Sequence, residues 1–278
     1  MSKEIYRPKR MKFGAFLAPF HRVEENPTIA FERDLEYIEQ MDRFNFDEVW
    51  IGEHHSAGWE TIASPELMMI AAAQRTRSIK VGTGVLSLPY HHPLLVADRF
   101  VQLDHMTRGR AMLGVGPGAL TSDAYMMGID PLEQRRMMDE SLGAILALLR
   151  GETVTMETDW FKLQDARLQL ASYTHPHLPV AVAAAFSPSG PITAGKYGIG
   201  ILSGGANHPE GQKALERTWA WASEAAKESG KTISREDWRV VMPFYLADSK
   251  QANETTIPGV KFPVIIPGGL DNPDSFRD

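Results

Sequence analysis

The chain contains no cysteine, which excludes disulfides, thiolate chemistry and cysteine-ligated zinc or iron–sulfur centres. It has no excess of positive charge either. Its 35 acidic residues against 29 basic ones leave a net charge of −6, whereas a nucleic-acid-binding surface would be basic. No apolar run approaches membrane-spanning length, and the N-terminal MSKEIYRPKR lacks the apolar centre of a secretory leader. A cytoplasmic enzyme is expected, with neither nucleic acid nor membrane as a partner. No early GxGxxG lies between a strand and a helix, which argues against a dinucleotide-binding open sheet. What remains is 43% apolar and 23% charged over 278 residues. That is a globular composition, and a length ordinary for one α/β barrel.

The elements alternate. Met11–Phe20 reads as a buried strand, Thr28–Phe44 as a helix, Val49–Gly52 as a strand and Pro65–Arg75 as a helix with proline in its first turn. Lys80–Leu88 is a third strand, Pro93–Met106 a third helix, Arg110–Val115 a fourth strand and Arg135–Leu149 a helix with one strongly apolar face. Thr153–Leu170 breaks the rhythm and reads as an inserted antiparallel hairpin. Pro179–Phe186, Pro191–Tyr197, Gly200–Ser203, Lys213–Glu228 and Trp238–Ala247 then resume strand and helix in turn. Repeated βα units of this spacing predict a TIM (β/α)8-type barrel with an inserted hairpin. The chain divides into an N-terminal arm (1–10), a barrel domain (11–252) and an atypical C-terminal segment (253–278). In the last, four prolines and no helical period replace the final βα units, and Val264–Ile266 is a surrogate strand at most.

The chemistry concentrates in Asp47–His55, DEVWIGEHH. The apolar run Val49–Ile51 ends in Glu53, His54 and His55, three ionisable groups at the mouth of a buried strand. Such groups are costly unless they face a cleft or find partners, and the carboxyl ends of barrel strands are where active sites lie. The alternative is that Glu53 and His55 simply hold a loop by hydrogen bonds. His91 and His92 follow the third strand on the same rim. A metal site from the four histidines is conceivable but lacks ligands from later strands, so no metal is expected. Arg108 and Arg110 fall at the amino end of the fourth strand, with Asp104 as a natural ion-pair mate.

Taken in order, KFGAFLAP, DEVWIGEHHSAGWE, VGTGVLSLPYHHP, DHMTRGR, LGVGPG and AAAFSPSG resemble the bacterial luciferase-like family of flavin-dependent monooxygenases. Within it they resemble the limonene 1,2-monooxygenase type. The resemblance, from about Lys12 to Ala247, implies reduced FMN from a separate flavin reductase. Oxygen adds at the flavin C4a to give a peroxide, and a small apolar organic substrate is oxygenated. Rival readings are hydride transfer with FMN or the deazaflavin F420, and a non-catalytic flavin-binding relative. Residue by residue, the resemblance makes His54 the catalytic histidine; Glu53, its neighbour, is expected either to orient it or equally to anchor the following loop. Gly84–Val85 falls at a non-prolyl cis peptide under the flavin ring. Arg135 falls at the phosphate arginine, with Arg136 beside it, and Ala185, Phe186, Ser187, Ser189 and Gly190 fall at a phosphate-binding turn. Gly116 and Pro117 stand where luciferase has cysteine and arginine, so the cofactor wall at Gly116 is smaller. Phe16, Trp59, His91 and Met126 are the candidate substrate contacts, and a homodimer through the helices after strands two and three is expected.

Overall fold

A computed structural model describes residues 10–17, 20–185, 187–204 and 209–242, and the strand residues 245–246 and 264–265. The strands are β1 (Gly14–Leu17), β2 (Glu48–Ile51), β3 (Lys80–Thr83), β4 (Leu86–Ser87), β5 (Ala111–Gly116), β6 (Val154–Glu157), β7 (Lys162–Ala166), β8 (Val180–Ala184), β9 (Gly200–Ser203), β10 (Trp238–Val240), β11 (Tyr245–Leu246) and β12 (Val264–Ile265). The helices are α1 (Pro27–Arg43), α2 (Pro65–Arg75), α3 (Pro93–Thr107), α4 (Thr121–Met126), α5 (Gln134–Leu149), α6 (Ser189–Tyr197) and α7 (Pro209–Glu228).

Seven strands pair in the order β1-β2-β3-β5-β8-β9-β10, all parallel, with β4 beside β5. One register row runs Phe16, Trp50, Gly82, Met112. A parallel sheet needs cover on both faces, and β2 and β5 are buried along their whole length. On the outer face, Ile38, Met69, Phe100, Leu142 and Ile145 join the main core. On the inner face, Trp50, Met112 and Ala181 pack together with Leu202. At about 4.8 Å per strand, β2 and β10 would lie roughly 24 Å apart in a flat sheet. Instead Arg239 on β10 donates twice to Glu48 on β2, at 2.9 and 3.0 Å. The sheet is therefore strongly curled, and β2 and β10 meet across its inside. Among the described residues, no pairing joins β10 back to β1.

Helix ends follow local chemistry. The Asn26 side chain accepts from the Thr28 N–H, with Pro27 opening α1. Left-handed Arg108 and Gly109 stop α3, and left-handed Gly198 stops α6. The hairpin β6–β7 is antiparallel, as the sequence predicts. Its tip is fastened to α5 by Asp159 on Arg136, at 2.9 Å, and by the Trp160 indole on Glu140, at 2.8 Å. No described helix is long and apolar enough to cross a membrane.

Several expectations are corrected. The strand expected over Met11–Phe20 is confined to Gly14–Leu17, Ala18 and Pro19 lying outside the described residues. The Lys80–Leu88 strand is two strands, because the ladder to β5 is interrupted at Gly84–Val85. There the Thr83 hydroxyl donates to the Gly114 carbonyl at 2.7 Å and accepts from its N–H at 3.0 Å, in place of the missing ladder bonds. Trp238–Ala247 contains β10 and a separate β11. In the C-terminal segment only Val264–Ile265 is described, paired with β11 rather than with the main sheet. Most of the 1–10 arm and of 253–278 lies outside the described residues. Arg110 does not pair with Asp104. It donates to the carbonyls of Ala73, Ile79 and Thr107 and to the Thr76 hydroxyl, while Asp104 accepts from the N–H and hydroxyl of Thr174.

Candidate active site

Because the strands are parallel, the segments leaving their carboxyl ends share one rim. Gly52–His55 leaves β2, Gly84–Val85 leaves β3, Pro117 follows Gly116 at the end of β5, and Ala185, Ser187 and Pro188 lie between β8 and α6. Helices α5 and α6 return toward the amino ends of the strands, so Arg135 and Ser189 open them at this same rim. Glu53, His54, Gly84, Val85, His91, Gly116, Arg135, Ala185, Ser187, Ser189 and Gly190 thus belong to segments at the same end of the sheet. Phe186 lies outside the described residues.

The peptide Gly84–Val85 is cis. A methyl group on Gly84 would meet the Trp50 Cβ at 2.8 Å and the Phe16 ring at 3.2 Å. Phe16, nearly half exposed, therefore borders the segment directly. Gly116 is needed for close approach: a Cβ there would lie 2.5 Å from Val85 Cγ2. The smaller wall at Gly116 is thus space taken up by Val85.

His54 lies between two carboxylates that the sequence reading did not single out. Nδ1 is 3.2 Å from Asp123 Oδ2, and Nε2 is 3.1 Å from Glu60 Oε2. Asp123, on α4, also accepts from the His55 N–H at 3.1 Å and from the Ser56 hydroxyl. Burial pushes its carboxyl up, but these donors outweigh burial and hold it below the usual range. Glu60 is placed by its loop. The His21 N–H donates to the Trp59 carbonyl at 2.8 Å, and Phe20 bridges Glu60. His21 itself is buried between Thr61 Oγ1 and Asp34 Oδ2, each at 2.9 Å.

Glu53 does not touch His54. Its fully buried side chain accepts from the Ser87 N–H at 2.5 Å, from His91 Nε2 at 2.6 Å and from His55 Nε2 at 3.1 Å. Burial would raise this carboxyl, but the hydrogen bonds from His55, His91 and Ser87 bring it down to about 2. The same contact with Glu53 raises His55 above its ordinary value. Tyr90 packs edge-on against His55, and its hydroxyl accepts from Gln134 at 2.9 Å.

The two adjacent arginines differ. Arg136 is taken by Glu133, Glu140 and Asp159, whereas exposed Arg135 has no side-chain partner among the described residues. Helix α6 begins after Pro188 with no side-chain cap, so its N–H groups are available to an anion. Ser187 and Ser189 share a hydrogen bond of 2.9 Å there. Gly190 has a packing role, since a Cβ would lie 2.1 Å from the Ala183 carbonyl. Trp59 and Met126 are 48% and 64% exposed, leaving apolar surface for a ligand.

A curled parallel sheet whose carboxyl rim gathers a carboxylate-held histidine, a glycine-lined segment and an uncapped helix start defines an α/β-barrel type of protein with its chemistry at that rim. Comparison with known proteins narrows the class. Residues 11–260 match the luciferase-like monooxygenase family. The chain is 52% identical over 242 residues to limonene 1,2-monooxygenase of Rhodococcus erythropolis, covering 87% of this chain and 62% of that protein. It is 52% identical over 246 residues to 4-hydroxyprotoasukamycin monooxygenase of Streptomyces nodosus subsp. asukaensis, covering 87% and 66%. It thus spans less than two thirds of either relative. Among solved structures, the oxygenating constituent of 3,6-diketocamphane monooxygenase from Pseudomonas putida, a type II Baeyer–Villiger monooxygenase in complex with FMN, superimposes with a TM-score of 0.76. The identity is 29%, over 87% of this chain and 69% of that one. The chain belongs to the luciferase-like monooxygenase family.

Proposed function

We propose that this chain is the oxygenating part of a flavin-dependent monooxygenase. It would use reduced FMN and O2, with the flavin supplied by a separate reductase, to oxygenate a small apolar organic substrate. The observation that carries this reading is the shared rim: the Gly84–Val85 segment, His54, the uncapped start of α6 and Arg135, unpaired among the described residues, all lie on it. The residues fit FMN. Gly84 and Phe16 offer a largely apolar surface, and the uncapped start of α6 with Arg135 suits a phosphate dianion. A relative solved with FMN supports a flavin-type cofactor.

Bound reduced flavin supplies the electrons that activate oxygen. The protein's part is different. Phe16, Trp59 and Met126 present apolar surface that excludes water from the reacting centre. Asp123 fixes the His54 ring through Nδ1. Nε2, now turned to Glu60, is the atom at which His54 gives up or takes a proton.

Titration of the protein with FMN and with riboflavin tests the reading. Arg135→Ala should weaken FMN by roughly ten- to a hundredfold, the worth of a charge-assisted contact, and leave riboflavin unchanged. Equal loss for both ligands would place the phosphate elsewhere. Labelled oxygen should enter the product when limonene, named for one relative, is the first probe substrate. Product without label, with F420 as the reductant, would replace oxygenation by hydride transfer, and FMN binding without any product would make this a binding protein.

A further inference from the structure

Glu53 is the most deeply buried carboxylate on the rim, and three donors from three separate segments converge on it. His55 comes from the loop after β2, Ser87 from β4 and His91 from the stretch before α3. Having no exposed side-chain surface, it has nothing with which to touch a molecule in the cleft. Its contacts reach the cleft through others. Ser87 is three residues from Gly84 and sits in register with Gly116, so the Ser87 N–H on Oε2 ties the Gly84–Val85 segment to the body of the sheet. His55 and His91 keep 18% and 15% of their side chains exposed at the rim. An ionised carboxylate only accepts hydrogen bonds, so each Nε2 facing Oε1 carries the proton.

Resting on the flavin reading above, the geometry points to Glu53 as a positioning residue. It holds the Gly84–Val85 floor through Ser87 and locks His55 and His91 with protonated Nε2, which leaves Nδ1 of each imidazole as the nitrogen directed away from the lock. The charged and titratable groups facing these partners are Glu53, Asp123 and Glu66 around His55, with the Tyr90 ring on its edge, and Glu53 around His91.

Long-range nitrogen NMR of the histidine rings in the cofactor-free protein, together with FMN and riboflavin titrations, tests the assignment. In the wild type, His55 and His91 should both show protonated Nε2. In Glu53→Gln the amide has one acceptor oxygen for three donors, so at least one ring should lose that signature, and His55 should titrate at lower pH. FMN and riboflavin should weaken alike, by at least tenfold, because the floor and not the phosphate site is disturbed. Glu53→Asp keeps the charge one methylene short. It should preserve the Nε2 signatures yet lose at least threefold in flavin affinity, and it carries the test if Glu53→Gln does not fold. Unprotonated Nε2 in the wild type would overturn the assignment, as would unchanged ring signals and flavin affinity in the folded variants. If the wild type binds neither flavin, the proposed function fails, while the ring signals still decide the role of Glu53.

Discussion

Replacing Glu48 by glutamine removes the anion of the pair that joins β2 to β10 inside the curled sheet. The Glu48 carboxylate is 8% exposed and the Arg239 side chain 20%. It accepts twice from Arg239 and once from the Trp50 indole at 3.1 Å. The guanidinium also lies 5.4 Å from the centre of the Trp50 ring. Breaking a fully buried pair costs about 3–5 kcal/mol, because one charge is left stranded. Arg239 is a fifth exposed, and glutamine still accepts one hydrogen bond, so about 2 kcal/mol is the expectation. Urea unfolding followed by tryptophan fluorescence should then show a midpoint lower by roughly 0.5 M, since the denaturant slope of a chain this long lies at or above the upper end of the small-protein range. Replacing both residues by methionine should recover much of the loss, since an apolar pair of similar volume strands no charge. The pH dependence has a definite sign. Burial raises the Glu48 carboxyl, but Arg239 and Trp50 more than offset burial and hold it below 4.5. Its contribution is therefore complete above the unfolded value and is lost as pH falls through the lower folded value. The gap between wild type and Glu48→Gln should close on acidification through that range. A midpoint shift below about 0.2 M, or a double variant that simply sums the two single losses, would refute the reasoning.

Gly116→Ala forces a methyl group against the branched Val85. It should cost about 1–3 kcal/mol, seen as a lower melting temperature, and should weaken FMN in titration. Asp123→Asn should lower turnover a hundredfold or more while FMN affinity stays within about twofold, because it disturbs His54 and not the floor; unchanged turnover would remove the His54–Asp123 contact from the chemistry. On α2 and α3, the exposed Leu67, Leu95 and Met106 support a homodimer through these helices. Sedimentation should give twice the chain mass, and a monomer would reject it.

The order of strands and helices was legible because apolar periodicity and proline or glycine punctuation recur at each βα unit. The break at Gly84–Val85 was not legible from pattern. TGVLSL reads as continuous strand, and the contact that stands in for its ladder at the break, the Thr83 side chain taking both backbone groups of Gly114, joins residues 31 apart. Helix α4 escaped notice because six residues hold too little of a helical period, and with it went Asp123, 69 residues from His54. Glu60 lies only six positions beyond His54, but its role depends on how the Trp59 loop is fastened to His21. Adjacency in sequence suggested Glu53 for His54. Beyond the end of β2 the two side chains part, Glu53 turning toward β4 and His54 toward α4. Site residues taken from the family resemblance gather on one rim because they are, almost without exception, the residues at which strands end or helices begin.

The unequal fates of Arg135 and Arg136 bear on the segment that precedes them. One step along an α-helix swings a side chain by about 100°, so these neighbours look in quite different directions. One is enclosed by Glu133, Glu140 and Asp159, and the other has no side-chain partner among the described residues. Glu133 is the N-cap of α5 and Glu140 lies within it, so this clamp travels with the helix and a change in the segment before it does not hand it to the neighbouring arginine. The connection between α4 and α5 is therefore free to change in length without enclosing Arg135.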